Sequence, residues 1–189
     1  MKIGLYFGSF NPIHTGHLII ASFIANNSDL QQVWFIVSPQ NPLKTSVSLL
    51  NEYHRLYLVN LAIENDSQLR ASDVEFKLPK PSYTIDTLTY LGEKYPSHQF
   101  SIIMGSDSFQ NINKWKNSET LKRDYYFIIY QRPGYKINLP PGIKGEIADA
   151  PLLEISATEI RKYIKSNKSI RYMVPEKVRE EIERNGYYK

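Results

Sequence analysis

What most constrains the fold of this chain is a repeated alternation of short, continuous apolar runs with segments of helical periodicity. The runs are KIGLYF (2–7), VWFIVS (33–38), QFSIIM (99–104) and YYFIIY (125–130), with the more polar LRASDVEF (69–76) holding the third place in the series. Between the first two, residues from about 16 to 26 are too apolar for an exposed helix. A second helix is expected from about Leu49 or Glu52, where Leu56, Val59 and Ile63 recur at helical spacing. A third is marked by Ile85, Leu88, Leu91 and Tyr95. Strands that are apolar on both faces, regularly alternating with helices, argue for a doubly wound, mainly parallel α/β sheet with helices on both faces.

Such a sheet binds ligands beyond the carboxyl ends of its strands. The loops of unusual composition all fall there: GSFNPIH after the first run, PQNPLK after the second, GSDS after the fourth and RPG after the fifth. Past a turn signal in NLPPGIKG (138–145), EISATEIRKYI (154–164) reads as a helix capped by Ser156, with Ala157, Ile160 and Ile164 on its apolar side. VPEKVREEIERNGYY (174–188) reads as a closing helix with Pro175 at its start. One domain spanning 1–189, with a small C-terminal helical part from about 156, is the simplest division.

A chain of 189 residues, 42% of them hydrophobic, can bury a sizeable core. It has no cysteine, which excludes disulfides and thiolate metal sites and fits a reducing compartment. The longest nearly uninterrupted apolar run, Leu18 to Ala25, is too short to span a bilayer, and the N-terminus lacks a signal-peptide pattern, so a cytoplasmic location is expected. Of the formal net charge of +4, residues 161–189 carry +5 and the rest about −1. The basic end reads either as a solvated helical face or as attraction for an anionic ligand, and its tyrosines form no RNA-binding signature.

The first loop is the most informative. Gly8 and Gly16 allow backbone to approach a ligand, and the helix starting near Gly16 offers N–H groups and the positive end of its dipole to an anion. His14 and His17, three apart at that helix start, suit phosphate, although metal ligation and incidental placement share the spacing. Lys44 and Arg132 follow strand ends, and Arg161 lies one turn past Ser156 and Thr158, so hydroxyls and a guanidinium can meet one phosphate there. Asp107, two residues past Gly105, either receives ribose hydroxyls or caps the following helix. Trp115, flanked by polar residues, offers a stacking surface or packs at the edge of the core.

In order along the chain, GSFNPIHTGH (8–17), NPLK (41–44), YTIDTL (83–88), GSDS (105–108), KW (114–115), RPG (132–134) and ISATEIR (155–161) resemble the bacterial nicotinate-mononucleotide adenylyltransferases, within the superfamily marked by HxGH. The resemblance covers essentially the whole length and implies a Rossmann-like fold. It also implies adenylyl transfer from ATP, with Mg²⁺, to nicotinate mononucleotide by direct in-line attack, with release of pyrophosphate. It assigns His14, His17, Lys44 and Arg161 to catalysis, and Gly8, Ser9, Phe10, His17, Gly105, Asp107, Ile155, Ser156, Thr158 and Arg161 to ATP. Lys44, Thr84, Trp115 and Arg132 go to the mononucleotide. No protein metal ligand is implied, and the partners are the two nucleotides, with a homo-oligomer possible and neither nucleic acid nor membrane.

Two positions depart from the family pattern: Asn11, where an aspartate is frequent, and Ala157, where a second serine is frequent. Asn11 brings no charge to a metal, so Mg²⁺ is expected to travel on ATP. Rival readings are a sister transferase acting on phosphopantetheine, against which YTIDTL and KW argue, and a relative of the tRNA synthetases, for whose tRNA-reading domain 189 residues are expected to leave no room. A noncatalytic binding module is expected to lack His14, His17 or Arg161, and all three are present.

Overall fold

The computed structural model describes residues 1–40 and 49–189. Six strands, β1 (Lys2–Gly8), β2 (Gln32–Val37), β3 (Leu69–Ser72), β4 (Gln99–Gly105), β5 (Tyr126–Tyr130) and β6 (Gly145–Ala148), form one sheet in the order β3-β2-β1-β4-β5-β6. All five pairings are parallel. The strand order reverses between β1 and β4, and the crevice outside their carboxyl ends is where such sheets bind nucleotides.

Side chains alternate across the sheet, so each strand serves two cores. Val33, Phe35 and Val37 of β2 pack on one face with α1 (Thr15–Asn27), α2 (Glu52–Ala62), α6 (Ala157–Lys165) and α7 (Glu176–Asn185). Trp34 and Ile36 face the other side with α3 (Thr84–Lys94), α4 (Ser106–Phe109) and α5 (Ser118–Asp124). This two-sided burial is the physical reason the strands read as unbroken apolar runs.

Three expectations need correction. The third segment, LRASDVEF, is a strand only to Ser72, and Val74–Lys77 turn into a short 3-10 helix after Asp73. β6 begins where the turn signal at 138–145 ends, in a stretch for which no strand was expected; as an edge strand it buries little, so it carries no apolar run. In α2 the buried stripe is Arg55, Leu58 and Val59 rather than Leu56, Val59 and Ile63 alone, with an arginine in a core position.

Candidate active site

β1 ends at Gly8, and the chain turns through Ser9, Phe10 and a cis Asn11–Pro12 bond into His14, which caps α1. Phe10 adopts the left-handed region at φ 45 and is buried. Its ring meets His17 edge-on at 5.1 Å, and Tyr6 meets the same imidazole at 6.0 Å. His14 and His17 stack, with ring centroids 3.6 Å apart and planes 25° from parallel. The backbone N–H of His14 donates to Nδ1 of His17 at 3.3 Å, so neutral His17 carries its proton on Nε2.

Gly16 makes this stacking possible. A Cβ there would lie 3.1 Å from His14 Nδ1 and 3.6 Å from Ile155 Cβ, so the position admits no side chain without moving the imidazole. The helix start is less open than the sequence suggested: the Thr15 N–H is taken by the Met173 carbonyl at 2.9 Å.

His14 is only 4% exposed and its Nδ1 is buried without a partner. Any bond from His14 to a ligand therefore comes from Nε2. Burial, reinforced by the positive charge of Arg132, pushes its pKa down to about 4. The folded state therefore stays unprotonated where the unfolded chain, near 6.5, takes up a proton, and stability falls as pH drops from about 6.5 to 4. The full difference amounts to roughly 3 kcal/mol. Urea unfolding at pH 7.5 and 4.5 checks this: His14→Gln is expected to show a loss smaller than the native chain's by about 2–3 kcal/mol.

Across the strand reversal, Gly105 ends β4 and caps α4. A Cβ on Gly105 would meet Asp107 Oδ1 at 2.5 Å and Arg132 Cγ at 3.1 Å, so the glycine leaves the room that both side chains occupy. Asp107 does not cap α4; Gly105 holds that position. The Arg132 N–H donates to Ser106 Oγ at 2.9 Å, fixing the loop after β5 to α4.

α6 supplies the remaining cation. Ser156 caps it by accepting from the Glu159 N–H at 3.2 Å, as its position predicted. Arg161 donates from Nη1 to the Asn11 carbonyl at 2.6 Å and from Nη2 to Thr158 Oγ1 at 3.3 Å. Asn11, buried at 3%, in turn accepts the Leu50 N–H on Oδ1 at 3.1 Å. Arginine, histidines and first loop thus converge on one edge.

Thr84 opens α3, and Trp115 follows a 3-10 turn, half-buried against the same core face. Lys116 Nζ pairs with Asp86 at 2.8 Å, tying the tryptophan's loop to the first turn of α3. Lys44 lies outside the described residues. Among the described residues, no group of three or more histidine or acidic side chains could hold a metal ion, and no helix is long and apolar enough to cross a membrane.

Sequence reasoning missed Arg55, wholly buried, whose guanidinium donates to the carbonyls of Leu50, Ser9, Ser38 and Pro39. Its signal was available: it lies three and four residues before Leu58 and Val59, in phase with the buried face.

A parallel sheet whose first loop presents HxGH at the strand reversal, answered by an arginine from a C-terminal helix, defines a transferase of the nucleotidylyltransferase class. A family model described as cytidylyltransferase-like matches residues 5–163. A probable nicotinate-nucleotide adenylyltransferase of Cytophaga hutchinsonii is 51% identical over 189 residues, covering 100% of this chain and 98% of the relative. One of Flavobacterium psychrophilum is 49% identical, with 100% of both chains covered. The solved Plasmodium falciparum nicotinic acid mononucleotide adenylyltransferase complexed with NaAD superposes with a TM-score of 0.84 at 25% identity, over 99% of this chain and 97% of that one. The chain belongs to the nicotinate-nucleotide adenylyltransferase family.

Proposed function

We propose that this protein transfers the adenylyl group of ATP to nicotinate mononucleotide, forming nicotinate adenine dinucleotide and pyrophosphate in NAD biosynthesis. The observation that carries the reading is the convergence of His14, His17 and Arg161 on one loop, in a chain about half identical to its named relatives over full length.

An oxygen of the mononucleotide's 5′-phosphate attacks the α-phosphorus of ATP. The new P–O bond forms as the bond to the β-phosphate oxygen breaks, and pyrophosphate leaves with its electron pair. The protein contributes alignment and charge stabilisation rather than a covalent intermediate. In this reading the Nε2–H groups of His14 and His17 donate to the triphosphate, and Arg161 and Lys44 neutralise the departing pyrophosphate. Asp107 receives the ribose hydroxyls of adenosine, beside Gly105. Backbone at Gly8, Ser9, Phe10 and Ile155 lines the nucleotide, with Ser156 and Thr158 at its phosphates. Trp115 stacks on the pyridine ring, Thr84 and neighbouring N–H groups receive its carboxylate, and Arg132 lines that pocket. Mg²⁺ enters as part of the substrate, bound to the triphosphate; Asn11 Oδ1 already serves the Leu50 N–H.

Pyrophosphate release from ATP and Mg²⁺ with nicotinate mononucleotide, its amide or phosphopantetheine tests the reading. Release with a pyridine mononucleotide supports it, and release only with phosphopantetheine moves the chain to a sister activity. Gly16→Ala separates alignment from folding. Alanine favours the helix by up to about 1 kcal/mol, so the melting temperature should hold, while displacement of His14 is expected to lower kcat about tenfold.

A further inference from the structure

Arg55 sits on α2 with no exposed surface, and among the described residues its hydrogen bonds run to backbone carbonyls. Nε donates to Leu50 O at 2.8 Å, Nη1 to Ser38 O at 2.9 Å and to Ser9 O, and Nη2 to Pro39 O at 3.3 Å. These carbonyls belong to the turns leaving β1 and β2 and to Leu50, the residue before the Asn51 cap of α2. Among the described residues, no carboxylate forms an ion pair with it; Glu52, one turn away, is held by Lys80 at 2.7 Å. Burying a lone guanidinium against neutral acceptors is an expensive way to brace loops, since an apolar side chain packs a core at lower cost.

The acceptors explain the choice. A planar fork of five N–H donors can hold several separate backbone segments in one fixed arrangement, which neither an ammonium nor an apolar side chain can do. The arrangement also continues outward. The Leu50 N–H bonds Asn11 Oδ1 at 3.1 Å, and the Asn11 carbonyl accepts from Arg161 at 2.6 Å. An unbroken chain of hydrogen bonds therefore runs from the buried cation, through Leu50 and Asn11, to the arginine at the phosphate edge.

We propose that Arg55 is a positioning residue for adenylyl transfer, setting the first loop, the 38–39 turn and, through Asn11, the guanidinium of Arg161. It touches no reacting atom; it acts through the groups that do. The proposal rests on the adenylyl-transfer reading. A small misplacement of aligned groups costs up to about a hundredfold in rate, so the effect belongs in kcat.

The test compares Arg55→Lys with Leu91→Ala, a core truncation toward the far end of α3, under conditions where circular dichroism shows both folded. Lysine keeps the charge but cannot serve four carbonyls, so Arg55→Lys is expected to lower kcat about tenfold or more, with Leu91→Ala within about twofold of the native chain. Equal kcat in Arg55→Lys and the native chain overturns the proposal, as does an equal loss in Leu91→Ala. If Arg55→Lys does not fold, Asn11→Ala decides, because it cuts the same chain of bonds and leaves Arg55 in place. A fall in kcat of about fivefold or more supports positioning, and unchanged kcat overturns it. A native chain that turns over no mononucleotide overturns both readings, whereas turnover unaffected by Arg55→Lys overturns this one alone.

Discussion

Replacing His17 with alanine is expected to lower kcat for pyrophosphate release by about 10²–10³, equivalent to roughly 3–4 kcal/mol of transition-state stabilisation. The expectation follows from how the imidazole is held. His17 Nδ1 accepts the His14 N–H, which directs the Nε2 proton outward, and the ring is fixed by Phe10 at 5.1 Å, Tyr6 at 6.0 Å and the stacked His14 at 3.6 Å. A donor so immobilised costs no reorganisation when charge develops on the phosphate. Because the interaction strengthens in the transition state, the loss should appear in kcat, with the KM for ATP changing only a few-fold. Steady-state kinetics of purified His17→Ala checks it; a KM effect with kcat intact contradicts the assigned role.

Arg161 gives the second large effect. Its hydrogen bonds to the Asn11 carbonyl and Thr158 Oγ1 hold the guanidinium beside the first loop, where the proposed reaction releases pyrophosphate. Arg161→Ala removes both the charge and the tie between α6 and the first loop, and kcat is expected to fall about 10²–10³. Arg161→Lys retains the charge but cannot grip both oxygens in the same plane, so it is expected to recover only part of this, remaining about tenfold or more below the native rate. Pyrophosphate inhibition provides the parallel measurement. The alanine variant should bind pyrophosphate more weakly, and unchanged inhibition places Arg161 outside the leaving-group path.

Most of the fold was legible because the sheet is covered on both sides. Runs such as VWFIV are apolar at every position only when alternate residues enter different cores, and β2 sends Phe35 to one and Trp34 to the other. β6 escaped notice because an edge strand with Glu146 in its middle buries too little to leave a pattern. The candidate site was legible where chemistry requires rare residues at fixed spacing, as in His14, Gly16 and His17. Arg55 left only a weak signal, its phase with Leu58 and Val59, because an arginine in a helix reads as solvated until tertiary structure shows what encloses it. In the sequence Asn11 stands out for the charge it withholds from a metal; its position adds what it gives, a side-chain acceptor for Leu50 and a carbonyl for Arg161.

The central claim is direct transfer between two aligned nucleotides, and the stereochemical course at phosphorus tests it most closely. ATP carrying a single sulfur of known configuration on its α-phosphate, incubated with Mg²⁺ and nicotinate mononucleotide, should give a dinucleotide with that phosphorus inverted, as one in-line displacement requires. Retention would mean two displacements through a covalent adenylyl-protein, and would contradict the account in which His14, His17 and Arg161 only align and stabilise.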